Sequence, residues 1–351
     1  MVNRTQVGVL GATGTVGQRF VQLLDGHPWF EVAFVAASER SVGQRYADAC
    51  AWKLSTPMPE PVRDLIIVEP TPEAVDTRVL FSGLTSDAAE SVEPAFAAAG
   101  RAVISNASSF RMTPDVPLLI PEINADHLDL IDIQRRERGW PGFIVTNPNC
   151  STIALCLALA PLETAFGVEQ ILATTLQAVS GAGYPGVPSL DILGNLLPSI
   201  PKEETKMESE TKRVFGRLTD DQIDAHPMTV SVTTTRVPVL EGHTESVSLK
   251  LRANPSADEV RSALQSYSSL PQELGLPSAP ARPVVVTDDP HRPQPRLDSD
   301  VAAGMATVVG RLRPCSVLGV KFVLLGHNTI RGAAGASVLN AELLKAQGHL
   351  D

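Results

Sequence analysis

At 351 residues the chain is long enough for two domains, each with its own core. Hydrophobic residues make up 43% of it and charged ones 19%, the balance of a soluble globular protein. A formal net charge of −10 argues against nucleic acid or an anionic membrane as partner, while leaving room for a local basic pocket that takes a small phosphate ligand.

The first 149 residues alternate strand and helix patterns. Short β-branched runs occur at "QVGVL" (6–10), "EVAFVAA" (31–37), "RVLFSG" (78–83), "RAVIS" (101–105) and "GFIVTN" (142–147). Helical patterns such as "VGQRFVQLL" (16–24) and "DAAESVEPAFAAAG" (87–100) lie between them. This order predicts a parallel sheet with helices on both faces. "GVLGATGTVGQRF" (8–20) sets Gly11, Gly14 and Gly17 directly after the first strand and ahead of a helix. A turn built from Gly11, Thr13, Gly14, Thr15 and Val16 would let the backbone approach a pyrophosphate at the helix N-terminus, the arrangement of a Rossmann-type dinucleotide-binding domain. At the end of the second strand, "AASERSVG" offers Ser38, Arg40 and Ser41, which favour the 2′-phosphate of NADP; Glu39 in the same turn is the feature that an NAD site would use.

"TNPNCSTIAL" (146–155) places Cys150 after an Asn-Pro-Asn turn and at the start of a helix, where the dipole and free N–H groups favour a thiolate. A thiol reagent should therefore find Cys150 first. Cys156, deeper in the same apolar run, reads as a core residue, and Cys50 and Cys315 have no unusual neighbours. No CxxC pair occurs, which suits a reducing, cytoplasmic setting, and the scattered histidines give no metal site. The N-terminus shows no signal-peptide pattern, and the longest apolar run (152–162) is too short to span a bilayer.

Beyond Gly167 longer alternating runs at 168–180, 228–239 and 245–253 predict an α+β domain with an antiparallel or mixed sheet. "LQAVSGAGYPG" (176–186) carries Gln177 at a strand end, followed by a turn with Ser180 and Gly181 that can lie flat under a ring. In "TRVPVLEGHTESV" (235–247), His243 follows a glycine between two strands, where a side chain can be aimed into a cleft. Arg236, on the preceding strand, could hold a carboxylate in a fork, or simply make a surface ion pair. Arg111 in "SSFR" and Lys206 in the charged run 201–216 are possible phosphate ligands, although such a run is usually a solvated helix face. The proline-rich stretch 270–296 reads as an extended loop, and the chain closes with a strand ("VKFVLLGHN") and an amphipathic helix (329–347).

Together these stretches resemble the aspartate-β-semialdehyde dehydrogenase family, in its archaeal and fungal branch. "GATGTVGQ", "SNASSFRM", "NPNCST", "QAVSGAGYPGVP", "IPKEETKMESETKR", "TTTRVPVLEGHTESV" and "GHNTIRGAAGASVLNAELL" carry the resemblance over nearly the whole chain. It implies NADPH-dependent reduction of L-4-aspartyl phosphate to L-aspartate 4-semialdehyde. Cys150 would be the nucleophile, Gln177 its positioning partner and His243 the acid/base, helping the thiol ionise when protonated. Arg236 would clamp the substrate α-carboxylate and Glu203 would meet its α-ammonium; Thr205 interrupts the family's acidic run, so Glu204 competes for that role. Arg111 and Lys206 would form the phosphate site, while Ser180, Gly181 and Asn328 would reach the cofactor. The implied division is an NADP-binding domain over 1–149, completed by a helix at about 329–351, and a catalytic and dimerisation domain over 150–328, with a homodimer or homotetramer as the assembly. A malonyl-CoA reductase of the same family is the alternative. A cysteine hydrolase or transferase, or a dinucleotide-sensing protein without catalysis, fits fewer of the motifs.

Overall fold

The computed structural model describes residues 4–350; residues 1–3 and 351, which end the expected domain ranges, lie outside the described residues. Five strands, β1 (Thr5–Leu10), β2 (Phe30–Ala36), β3 (Val79–Ser82), β4 (Ala102–Ser105) and β5 (Phe143–Thr146), form an all-parallel sheet in the order β2-β1-β3-β4-β5. Its strands are apolar on both faces because both are covered. Val9, Phe81, Ile104 and Val145 meet Phe20 and Val21 of α1 (Thr15–Leu23), whereas Leu80, Val103 and Ile144 meet Phe96 and Ala97 of α2 (Ser86–Ala98). Helix α3 (Leu130–Arg138) adds Ile131 to the first of these cores and stops at Gly139, whose φ of +64° ends the helical path.

Helix α4 (Cys150–Phe166) leads to the second sheet, which contains β6 (Val168–Gln177), then β7 (Thr229–Arg236) and β8 (His243–Leu251), and finally β9 (Val284–Val286), β10 (Thr307–Cys315) and β11 (Gly319–Gly326). The order is β9-β10-β11-β8-β6-β7, with parallel pairs at both edges and antiparallel pairs between, so the sheet is mixed as expected. Burial alternates along β6 and β8, the signature of a sheet covered on one side only. Leu155, Leu159 and Leu162 of α4 pack on the covered face against Ala173, Val247, Leu249 and Leu324, joined by Val260 and Leu264 of a helix at Ala257–Gln265. Leu172 and Leu176 stand on the opposite face, 54% and 41% exposed.

Two readings need correction. The segment 270–296 is not a plain extended loop: it contains a helical turn at Leu270–Glu273 and strand β9, which pairs with β10, a strand whose pattern the sequence reading missed. The last helix, α5 (Gly335–Ala346), is not amphipathic, since every residue from Gly335 to Leu344 is buried. It runs through the first core, with Val338, Leu339 and Leu343 beside α1 and β4, so a helix enclosed on all sides replaces a surface helix.

Candidate active site

At the mouth of the first sheet, Gly11 takes a φ of +71°, and a Cβ there would fall 2.8 Å from the Gly83 carbonyl oxygen. A Cβ at Gly17 would lie 2.1 Å from the Gly11 carbonyl oxygen, so only glycine lets α1 start this close to β1. Gly14 is the N-cap residue and supplies no side-chain acceptor, which leaves the N–H groups of the first turn at Thr15 and Val16 uncapped. This backbone cradle fits a pyrophosphate. Thr13 contributes its carbonyl, which accepts a 2.9 Å bond from Gln18. Next to it, at the end of β2, exposed Ser38 and Arg40 and half-buried Ser41 lie in a helical turn closed by Ser41 N–H to Ser38 O (2.9 Å). The lip that would meet a 2′-phosphate therefore stands beside the cradle, with a cation and two hydroxyls.

Cys150 is the first residue of α4, and Asn149 is its cap, the side-chain oxygen accepting from Ser151 N–H (3.0 Å) and Thr152 N–H (3.3 Å). Asn149 Nδ2 donates to Glu203 Oε1 (2.7 Å) and Asn149 N–H to Glu210 Oε2 (2.6 Å). Both carboxylates come from the helix Glu203–Val214, seven residues apart and so on one face, which also carries Lys206. Glu210 is paired in turn with Arg111, whose Nη1 lies 3.2 Å away and whose Nη2 donates to Asn106 O (2.9 Å). Glu204 is turned away and accepts from Thr234 N–H (3.0 Å), so Glu203 is the carboxylate beside Cys150 and Arg236. Lys206 is half-buried on the same helix.

The resting thiol departs from the sequence reading. Burial pushes Cys150 up to about 12, and Glu203 adds to this; Arg111, Arg236 and the Ser151 N–H pull in the other direction without prevailing. The helix N-terminus alone does not make a thiolate at this half-buried position. Cys156 is fully buried and likewise raised, as its core reading requires. Cys315, by contrast, sits at the tip of the β10–β11 hairpin, where the N–H groups of Leu318 and Val317 bring its thiol down to about 7. Its surroundings are the unusual ones.

Gln177 and Arg236 are paired neighbours on β6 and β7. Gln177 Nε2 donates to Thr175 Oγ1 (3.3 Å), and Arg236 Nη1 donates to Ala178 O (2.7 Å). His243 opens β8 and is fully buried. The Ala178 N–H donates to its Nδ1 at 3.0 Å, so the neutral ring carries its proton on Nε2, an atom with no partner of its own. Burial first, then the charge of Arg236, lowers its pKa to about 3. The ring is therefore neutral, and the expected help of an imidazolium to the thiol is absent in this form. A Cβ at Gly181 would meet Arg236 Nη1 at 2.8 Å and His243 Nε2 at 3.1 Å, so this glycine lies directly over both groups. Ser180 and Asn328 are joined to each other (2.8 Å) rather than standing free.

Sequence reasoning missed several members. Asn149 was visible as a cap residue before a helix, and Glu210 by its seven-residue spacing from Glu203. Gly332 gave no signal, yet a Cβ there would fall 2.7 Å from that of Cys150, so the C-terminal segment packs directly against the start of α4. Glu245, one pleat below His243, is fully buried with neither oxygen paired, and burial raises its pKa well above the carboxylate range. Among the described residues there is no metal-holding cluster of His, Cys, Asp and Glu.

Comparison with known proteins bears on the whole of this arrangement. Residues 6–131 match the model of a semialdehyde dehydrogenase NAD-binding domain, and residues 159–331 that of a semialdehyde dehydrogenase dimerisation domain. The aspartate-semialdehyde dehydrogenase of Methanothermobacter thermautotrophicus is 54% identical over 347 residues, covering 98% of this chain and 99% of that one. The Cryptococcus neoformans enzyme of the same name is 48% identical, with 98% and 97% covered. A crystal structure of the Candida albicans enzyme with NADP superposes with a TM-score of 0.92 at 43% identity, covering 99% of this chain and all of that one (100%). That of the Vibrio cholerae enzyme II complexed with ASA gives 0.77 at 27% identity, with 98% of each chain covered. Fold, motifs and full-length likeness agree that the chain belongs to the aspartate-semialdehyde dehydrogenase family.

Proposed function

We propose that the protein interconverts L-4-aspartyl phosphate and L-aspartate 4-semialdehyde with NADPH as reductant, through a thioester on Cys150. The observation that carries the residue roles is the position of Cys150, first in its helix, within the fields of Arg111, Arg236 and Glu203. Arg236 is suited to the substrate carboxylate and Glu203 to its ammonium. That pairing has a consequence for the sulfur. An ammonium beside Glu203 cancels the negative charge that helps keep the thiol protonated, while a carboxylate on Arg236 cancels one of the charges that oppose it, so the two ends of the substrate act on the sulfur in opposite directions.

The sulfur attacks the acyl carbon, the carbon–oxygen bond to phosphate breaks, and Arg111 and Lys206 are placed to receive the leaving phosphate. NADPH, when bound through the Gly11–Val16 turn and the Ser38–Ser41 lip, supplies a hydride. His243 presents Nε2–H, so it is a donor that stabilises the oxyanion formed at the thioester carbon. To accept a proton in the oxidative direction it has to release the Ala178 N–H. Breaking of the carbon–sulfur bond then frees the aldehyde.

Glu203 beside Arg236 favours an amino-acid substrate over malonyl-CoA, which has no ammonium to offer, and the full-length relatives point the same way. We divide the chain into a nucleotide-binding domain (1–149 with the C-terminal helix) and a catalytic and dimerisation domain (150–328). Leu172 and Leu176 on the open sheet face support a homo-oligomer. No helix among the described residues is long and apolar enough to cross a membrane, and we place the enzyme in the cytoplasm. Following NADPH by its absorbance tests the reading. Sustained NADPH formation from aspartate semialdehyde should require both NADP and phosphate. Oxidation of NADPH by malonyl-CoA instead would overturn the substrate.

A further inference from the structure

The loop that delivers His243 is held by a directional chain of hydrogen bonds. The Gly242 N–H donates to Asn328 Oδ1 (2.8 Å), Asn328 Nδ2 donates to Ser180 Oγ (2.8 Å), and Ser180 Oγ donates to Glu241 Oε2 (2.9 Å). From the other side, Arg19 Nη2 reaches Thr329 Oγ1 (2.9 Å) and Glu241 Oε1 (3.4 Å), and Thr329 Oγ1 lies 3.4 Å from Glu241 Oε2. Every donor in the chain runs toward Glu241, so only a carboxylate accepting at both oxygens closes it. Gly242 has a φ of +94°, and a Cβ there would be 2.4 Å from Ser299 Oγ, so the residue just before His243 has one tight backbone path. Arg19 belongs to α1, the helix whose N-terminus forms the nucleotide cradle. Three separate segments, at Arg19, Ser180 and Asn328–Thr329, thus converge on one side chain that the mechanism does not otherwise use.

We propose that Glu241 is a positioning residue that fixes the seat of His243, and that Arg19 anchors it to the nucleotide-binding helix. The proposal rests on the catalytic role of His243 given above. Glu241 touches neither ring nitrogen of His243 and acts through Gly242, Ser180 and Asn328. Its removal should therefore cost nothing once His243 is gone.

The test is a double-mutant cycle on the full-length enzyme, with kcat for aspartate semialdehyde oxidation as readout. Glu241→Ala should lower kcat by about tenfold or more and change the KM for NADP by a smaller factor, one that reflects only the loosened Ser180 and Asn328. In a His243→Ala background the same substitution should have no further effect. Glu241→Gln keeps an acceptor toward Ser180 but turns an amide toward Arg19, so it should match Arg19→Met, each losing a few-fold. If Glu241→Ala does not fold, these two variants carry the cycle. Full activity of the Glu241 variants, or losses that simply multiply with that of His243→Ala, would overturn the proposal. Wild-type activity of His243→Ala would instead overturn the role of His243 itself.

Discussion

The two ends of the site are built by different means. At the nucleotide end the ligand would meet backbone: Gly11, Gly14 and Gly17 allow α1 to begin against β1, and the one charged contributor, Arg40, is exposed. At the catalytic end the groups are side chains from at least four segments, mostly buried, with Cys150 and Lys206 half-buried. Arg111 is held by Glu210, Asn149 by Glu203, and Arg236 by a backbone carbonyl before any substrate arrives. The first end is shaped by sterics and tolerates water. The second depends on charges that balance one another, so a single substitution there disturbs several partners.

Breaking the catalytic end should give the largest effects. Cys150→Ser should lose at least about a thousandfold in kcat, since a serine hydroxyl is scarcely ionised and His243, with Nε2 protonated, gives it no base. Circular dichroism and NADP binding should stay as in the wild type. Substantial turnover by this variant would remove Cys150 from the chemistry.

This contrast also explains what could be read in advance. The glycine spacing and the alternation of strands and helices carry the first domain in local sequence, because a backbone cradle is specified by its own residues. Cys150, Gln177, Arg236 and His243 were legible as separate candidates, but their joint roles, and Glu203, were reached through resemblance, because these residues approach only in the folded chain. Local reasoning failed where the environment decides. It assigned a low thiol pKa to Cys150 from the helix N-terminus alone, missing the burial and Glu203, and it overlooked the N–H groups around Cys315. Burial also disguised the last helix, whose polar residues Ser337, Asn340 and Glu342 are enclosed rather than solvated.

Arg236→Lys keeps the charge but loses the fork, and should lower kcat/KM by about tenfold or more; unchanged kinetics would reject the clamp. Arg40→Ala at the exposed end should weaken NADP by about 1.5–3 kcal/mol and spare NAD. Equal loss for both cofactors would move the 2′-phosphate elsewhere. The phosphate pair separates the two kinds of site within one function. Lys206→Ala should raise the KM for phosphate several-fold (about 1 kcal/mol) with little change in Tm. Arg111→Ala should do the same and also lower stability by about 3 kcal/mol, because Glu210 is left as a buried unpaired charge. If both variants melt like the wild type, Arg111 has no part in the ion pair.

The smallest effect concerns labelling. In the free enzyme a thiol reagent near neutral pH should reach Cys315 first, since its thiol at about 7 is roughly half ionised there and Cys150 is not. Cys315→Ser should leave turnover intact. Early labelling of Cys150 would show that the thiol is already ionised at rest.

The thioester on Cys150 is the centre of the account, and it can be trapped by leaving out phosphate. Mixing the enzyme with aspartate semialdehyde and NADP alone should give a rapid burst of roughly one NADPH per active site, followed by arrest. Mass spectrometry of the quenched protein should place an aspartyl adduct on the peptide containing Cys150, and added phosphate should discharge it. Steady NADPH formation without a burst, or an adduct on Cys156 or Cys315, would contradict the assignment of the nucleophile.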